Sequence, residues 1–435
     1  MITAGSSNQG KTTITLGLLG ALKNRGLDLA PYKTGPDYID SKYLELAAGN
    51  TSGNLDIYMM GRRGIEEALS LNGREYGLVE GAMGYFDGIY NTYENSSYDI
   101  GNYLDIPAIL VYEPKGEMFS AVTKIKGMVD FSKGRIKGVI FNKCSPKIAE
   151  MLTGPIKDHI GIEVLGYVPK DEKLQIGSRH LGLLQPHEIK DIENQIDYIS
   201  KTLEETLDID LLIELMGEIE LVELEEITQT KLKIAIAYDE AFSFYYSENI
   251  RLLEGLADLV YFSPLRDKEL PEDLDLIYMA GGYPELYKEE LSSNKGLLED
   301  IRSYAAGGGH ILAEGAGLMY LAESIDGYPM LGIIDGRVKM TDRTQKFGYT
   351  EMEFLKDTSF GKKSESIKGK EFHRSLIETE AEEILWVTKP RNPRKWKCGY
   401  IHKNVLAFYG HINFLGNMNI ILRYLESIDK ENIDK

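Results

Sequence analysis

The run Gly5-Ser6-Ser7-Asn8-Gln9-Gly10-Lys11-Thr12-Thr13 is a glycine-bracketed loop ending in Lys-Thr, set between an apolar start and an amphipathic stretch. Its glycines let the backbone curl so that successive N–H groups face phosphate oxygens. Lys11 then reaches the β- and γ-phosphates and the Thr12 hydroxyl can ligate Mg²⁺. Apolar residues recur at helical spacing from Ile14 to Leu22, so the loop predicts a helix whose N-terminal dipole faces the phosphates. We read a nucleoside triphosphate site with Gly5, Ser6, Gly10, Lys11, Thr12 and Thr13 as its cofactor-binding residues. Only Met1 to Ala4 precede the loop, fewer than the usual strand of about 5–6 residues. That strand is expected to be clipped, or the start to have been assigned late.

Phosphoryl chemistry also needs carboxylates at the carboxyl ends of strands near the loop. Glu80 ends the run Gly77-Leu78-Val79-Glu80-Gly81, and Asp87 stands in the glycine-flanked turn Gly84 to Gly88. Lys33 to Asp40 (KTGPDYID) adds a lysine and two aspartates, Asp37 and Asp40, on a segment that Gly-Pro keeps non-helical. An acid after a strand also reads as a helix cap or solvated turn. Three such clusters beside one phosphate loop favour the chemical reading.

The elements that must position these groups follow from periodicity. Leu78-Val79, Ile106 to Tyr112, Gly138 to Phe141 and Val164 to Val168 read as buried strands alternating with helical patterns, which predicts a parallel sheet. From about Glu188 to Thr230 the chain turns acidic with helical spacing, and a second α/β pattern starts at Lys233 and runs through Leu276 to Met279 and His310 to Ala313. The expected domains are 1–190 for ATP binding, 191–230 as an acidic helical linker and 231–435 as a second α/β domain. Asp429 to Lys435 reads as a frayed tail.

At 435 residues the chain exceeds one ordinary core, and 43% hydrophobic with 27% charged residues describes a globular protein. A net charge of −19 argues against nucleic acid or an anionic membrane as partner, because both repel it at long range. No signal peptide and no apolar run near about 18 residues is evident, so a cytoplasmic location is expected. Cys144 and Cys398 are too few for a disulfide framework or a structural zinc site.

Lys33 to Asp40, Asn54-Leu55-Asp56, Glu80 to Gly88, Ser178 to Leu183 (SRHLGL), Phe262-Ser263-Pro264-Leu265 and Gly281 to Glu285 (GGYPE), in this order, resemble the cobyrinate a,c-diamide synthase family over nearly the whole chain. The resemblance implies an N-terminal P-loop parallel-sheet domain similar to dethiobiotin synthetase and a C-terminal α/β domain similar to class I glutamine amidotransferases. It implies ATP-dependent amidation of peripheral carboxylates of a corrinoid tetrapyrrole: the acceptor carboxylate attacks the γ-phosphate, and ammonia displaces the resulting acyl phosphate. Carried over by position, Thr12 and Glu80 hold Mg²⁺ and Lys33 steadies the transferring group. Asp37, Asp40 and Asp87 order the substrate and catalytic site, and Tyr38 faces substrate. Arg179 and His180 are candidate cations for the substrate's carboxylates, or else cap a helix or pair with an acid. Asn142, after the strand Val139-Ile140-Phe141, reads the adenine edge or is a turn residue. Homodimerisation is a further expectation from the resemblance.

The second domain departs from that pattern at one position. Glutaminases of this kind carry a cysteine on a sharp strand-to-helix turn, in a family run Ala-Glu-Cys-Gly-Gly-Leu-Met-Tyr-Leu. This chain has Ala313-Glu314-Gly315-Ala316-Gly317-Leu318-Met319-Tyr320-Leu321. Glycine cannot attack an amide. The partner histidine persists as His411, while a second family histidine is replaced by Asn413. The expectation is an amidoligase that takes ammonia from solution or from a separate glutaminase. The element Lys370-Glu371-Phe372-His373-Arg374-Ser375, similar to a Glu-Phe-His-Tyr-Ser element in the family, is a candidate contact for tetrapyrrole carboxylates. Three alternatives stay open: the same reaction on nickel sirohydrochlorin, a non-catalytic ATP switch, and a decayed paralogue that binds tetrapyrrole for regulation.

Overall fold

The computed structural model describes residues 1–177, 189, 191–225 and 227–433. Arg179 and His180, both expected at the substrate, lie outside the described residues. Two compact units divide the chain: Met1–Ile57 with Gly61–Leu224, and Tyr58–Met60 with Glu225–Lys435.

In the first unit β1 (Ile2–Ala4), β2 (Leu29–Thr34), β3 (Gly53–Leu55), β4 (Tyr76–Glu80), β5 (Ala108–Tyr112), β6 (Ile136–Phe141) and β7 (Glu163–Tyr167) form one sheet. Its order is β3-β2-β4-β1-β5-β6-β7, and every pairing is parallel. The three-residue β1 sits at the centre with all its residues buried, which is why so short a strand survives: both neighbours hydrogen-bond to it. The strand expected to be buried over Val164 to Val168 lies instead at the sheet edge, and within β7 only Leu165 is buried.

Helix Ile192–Thr206, in the segment read as a linker, belongs to the first unit's core through Ile196, Ile199 and Leu203. It packs on helix Lys11–Asn24 across two glycines. A Cβ on Gly17 would stand 2.4 Å from Leu203 Cδ1, and one on Gly20 would stand 2.0 Å from Ser200 Oγ. The acidic composition that suggested a linker is the solvent face of an amphipathic helix.

In the second unit β8 (Lys233–Ala237), β9 (Asp258–Phe262), β10 (Leu276–Met279), β11 (His310–Glu314), β20 (Tyr400–His402) and β21 (Val405–Phe408) form a sheet in the order β20-β21-β11-β10-β8-β9. All of its pairings are parallel except β20 with β21. An antiparallel sheet follows the order β19-β18-β15-β16-β22, from β15 (Lys346–Phe354), β16 (Ser366–His373), β18 (Leu385–Lys389), β19 (Asn392–Cys398) and β22 (His411–Ile412). A small sheet joins β12 (Ser324–Ile325), β13 (Tyr328–Pro329), β14 (Arg337–Met340) and β17 (Ser375–Glu378). Of the tail read as frayed, residues 429–433 are helical instead, within helix Met418–Ile433. Asn432 Nδ2 donates to Asp275 Oδ1 at 2.7 Å and Glu431 meets His310 at 3.2 Å, which holds that last turn down. Among the described residues no helix is long and apolar enough to cross a membrane.

Candidate active site

Parallel pairing of β2 with β4 sets Lys33 directly beside Glu80. Lys33 Nζ donates to Glu80 Oε1 at 2.7 Å and to Asp40 Oδ2 at 2.6 Å. The Thr12 hydroxyl donates to that same Glu80 oxygen at 2.6 Å. Burial alone would depress Lys33, but Asp40, Glu80 and Asp37 together outweigh it and raise its pKa, so the ammonium stays charged. Burial and the Asp37 carboxylate lift Asp40 to about 7 despite Lys33. One ammonium shared between two acids leaves the second under-compensated.

Glu80 is fully buried, and its Oε2 has no hydrogen-bond partner. An orphaned carboxylate oxygen next to a threonine hydroxyl fits Mg²⁺, which takes one or two protein oxygens and completes its shell with phosphate and water.

The phosphate loop is built as its motif requires. Gly10 has φ 90° and caps helix Lys11–Asn24, and a Cβ there would stand 2.2 Å from Asn142 Nδ2. Asn142 Nδ2 donates to Gln9 O at 2.7 Å and its Oδ1 accepts from Lys143 N at 2.9 Å, so the side chain braces the loop. Lys11 Nζ donates to Ser6 O at 3.1 Å and Met83 O at 2.5 Å. Burial and the Lys33 charge pull Lys11 down to about 8. Ser6 is exposed, Thr13 is half-buried, and a Cβ on Gly5 would meet Met128 Sδ at 3.3 Å.

The remaining acids spend one oxygen each on the backbone. Asp37 Oδ1 accepts from Ile39 N at 2.9 Å and Asp40 N at 3.0 Å, opening helix Ile39–Ala48, and Tyr38 beside it is buried. Asp87 Oδ2 accepts from Gly84 N at 3.0 Å. A Cβ on Gly84 would stand 2.8 Å from Gly5 O, so this turn lies against the phosphate loop only because it is glycine. Sequence reasoning missed Thr34, whose Oγ1 accepts from Ala82 N at 2.7 Å, and Ser97, which meets Thr34 at 2.9 Å. It also missed Asn54, whose Nδ2 donates to Gly35 O at 2.8 Å and Asp37 O at 3.0 Å. Thr34 and Asn54 fall inside motifs already noted, whereas nothing local marks Ser97.

In the second unit Gly315 lies between β11 and helix Ala316–Leu321 with φ 50° and ψ −102°, a sharp strand-to-helix elbow. A Cβ there would stand 2.5 Å from His411 Cε1 and 2.6 Å from its Nε2. His411 Nδ1 lies 3.5 Å from Glu314 Oε2. Burial, with Lys370 and His373, holds His411 down at about 3, and burial lifts Glu314 to about 8. Near neutral pH the contact is therefore between neutral groups. Asn413 is buried, with Nδ2 donating to Glu248 Oε2 at 3.4 Å and Oδ1 accepting from Leu415 N at 3.0 Å. Cys398 and Cys144 are buried free thiols; burial pushes Cys398 to about 12 and also raises Cys144.

Family models match as a CobQ/CobB/MinD/ParA nucleotide binding domain over residues 1–183 and a CobB/CobQ-like glutamine amidotransferase domain over residues 233–418. The cobyrinate a,c-diamide synthase of Clostridium tetani is 41% identical over 98% of this chain and 99% of its own. That of Clostridium acetobutylicum is 40% identical over 97% of this chain and 98% of its own. The chain belongs to the cobyrinate a,c-diamide synthase family. It is an enzyme of that family with a nucleotide-binding unit and a glutamine-amidotransferase-like unit. The elbow with Gly315 at its apex lies within the part matched as a glutamine amidotransferase domain.

In the element from Lys370 to Ser375, Glu371 is buried at 1% exposure, Phe372 and Arg374 are exposed, and Lys370 and His373 are half-buried.

Proposed function

We propose that this enzyme amidates the a- and c-carboxylates of cobyrinate with ATP through an acyl phosphate, using ammonia that it does not release from glutamine itself. The observation that carries the reading is the hydrogen-bonded chain Thr12–Glu80–Lys33–Asp40 beside a phosphate loop, with Glu80 and Lys33 buried.

A carboxylate is a poor electrophile, and phosphorylation gives it a leaving group. An oxygen of the acceptor carboxylate bonds to the γ-phosphorus, the bond to the β-bridging oxygen breaks, and ADP leaves. Ammonia then adds to the acyl carbon, phosphate departs and a proton is lost, leaving the amide. Such transfer rests on positioning and charge neutralisation. Thr12 and Glu80 would hold Mg²⁺, which neutralises charge on the β- and γ-oxygens. Lys33, kept charged by its acids, is placed to steady the phosphoryl group in flight. Lys11 can exchange its two carbonyl partners for phosphate. Asp37 and Asp40 fix the segment that carries Lys33's second partner, and Asp87 closes the turn beside the phosphate loop.

The ammonia reading is supported by Gly315, which has no nucleophile, and by thiols that burial keeps protonated. The test is ATP-dependent amidation of cobyrinate followed by mass spectrometry, with glutamine and ammonium chloride in parallel reactions. Product with ammonium alone is expected. Product with glutamine alone would overturn the ammonia reading, and no product with either would overturn the cobyrinate reading.

A further inference from the structure

Large apolar side chains stand in solvent around one turn of the first unit. Met83, Tyr90, Tyr93 and Phe131, the last residue of helix Phe119–Phe131, are each more than half exposed. Exposed apolar residues scattered singly are ordinary, whereas a contiguous group marks a binding surface. Here ring contacts join them. The Phe86 ring lies 4.8 Å from that of Phe131 and 5.1 Å from that of Tyr98 between centroids, and Tyr93 lies 5.7 Å from Tyr98. Tyr98 is buried and backs the other three.

The loop between these rings is strained. Met83 has φ 48° and Tyr90 has φ 58°, a left-handed backbone that is costly for a bulky side chain. Among the described residues they are the only large apolar side chains in that conformation at a position other than glycine. Asn, Asp, Lys, Arg and Ser fill the rest, as local polar contacts favour. Strain of this kind, paired with an exposed apolar side chain, gathers at ligand sites.

The aromatic cluster adjoins the phosphate loop on two sides. Phe86 belongs to the turn whose Gly84 lies against Gly5 O, and in that turn Tyr85 N donates to Ala4 O at 2.8 Å while Met83 O accepts from Lys11 Nζ at 2.5 Å. Phe131 ends the helix whose Met128 Sδ would meet a Cβ on Gly5 at 3.3 Å. One residue before Met83, Ala82 N donates to Thr34 Oγ1 at 2.7 Å, within the run from Lys33 to Asp40. Phosphoryl transfer pins the acceptor carboxylate beside the γ-phosphate, so the body of the acceptor must lie on surface that borders the phosphate loop. A corrinoid macrocycle presents a broad, largely apolar face, which gains by leaving water for aromatic rings.

We propose that Phe86, Tyr93 and Phe131, with Met83 and Tyr90 of the same loop, form the seat of the acceptor's macrocycle. The identity of this ligand rests on the amidation reading above. The seat supplies apolar contact, and the groups around Lys33 supply the charge.

The test is equilibrium dialysis of cobyrinate, read by its visible absorbance, against the full chain and its Tyr93→Ala and Phe131→Ala variants. Each variant is expected to bind cobyrinate at least about tenfold more weakly, while Tyr93→Phe, which keeps the ring, stays within about threefold of wild type. In amidation assays the two alanine variants should raise the cobyrinate KM by a similar factor with the ATP KM unchanged, a split that a general loss of structure would not give. Should Phe131→Ala not fold, Phe131→Leu, which keeps apolar volume without the ring, is read in the same way. Binding by wild type with unchanged affinity in both alanine variants overturns the seat and leaves the amidation reading standing. No binding by wild type overturns the amidation reading and the seat together. Sedimentation of the same variants tests the other occupant: loss of a wild-type dimer with unchanged cobyrinate affinity assigns the cluster to a second copy of this chain and overturns the seat.

Discussion

Lys33 and Glu80 face each other on adjacent parallel strands, and the Glu80 oxygen that Lys33 reaches at 2.7 Å is the same one that receives the Thr12 hydroxyl at 2.6 Å. One carboxylate oxygen thus joins the phosphate loop to β2, while the other has no hydrogen-bond partner.

Lys33→Met is expected to lower kcat by about 10²–10³-fold, because charge stabilisation of the transferring group is lost. It should also destabilise the first unit by about 3–5 kcal/mol, since Glu80 remains buried and Asp40 half-buried without their cation. Single-turnover amidation and urea unfolding separate the two effects. A rate within about threefold of wild type would remove Lys33 from the mechanism.

Gly315→Ala is expected to cost about 1–3 kcal/mol for the positive φ alone, with more from a methyl 2.5 Å from His411 Cε1. In the His411→Ala background the crowding is absent, so Gly315→Ala adds only the backbone cost there. Urea midpoints of wild type, the two single variants and the double variant test this, and an equal cost of Gly315→Ala in both backgrounds would mean that His411 gives way freely.

Both thiols are buried and raised by burial. Native enzyme incubated with iodoacetamide should retain its ammonium-dependent activity and remain unalkylated by intact mass. Rapid alkylation with loss of activity would reveal a nucleophile where the structure has none.

Glu314 titrates at about 8 in the folded protein against 4.5 for the free side chain. The folded state holds that proton more tightly, so the group's contribution is full below about 4.5 and is lost as pH rises toward about 8. Glu314→Gln, which cannot ionise, should therefore gain Tm relative to wild type by a few degrees at pH 9 and little or nothing at pH 4. A Tm difference independent of pH would show that Glu314 does not titrate in this range.

How much of this could be read from residue order depends on the scale of the cause. The phosphate loop, the strand-end acids and the lost nucleophile are local patterns, and the structure brings Thr12, Lys33, Asp40 and Glu80 together. Helix Ile192–Thr206 was misread because an acidic surface and an acidic linker have the same composition, and what distinguishes them is Gly17 and Gly20 nearly two hundred residues earlier. The edge position of β7 and the burial of Glu371 were hidden for a related reason. Strand order and face are set by partners far away in the chain.

The elbow at Gly315 is a sharp turn with no side chain at its apex. A cysteine at position 315 would set a thiol against His411 at the apex of an existing turn. The same substitution would bring with it the strain that glycine avoids, so fold stability opposes the chemistry that the contour would accommodate.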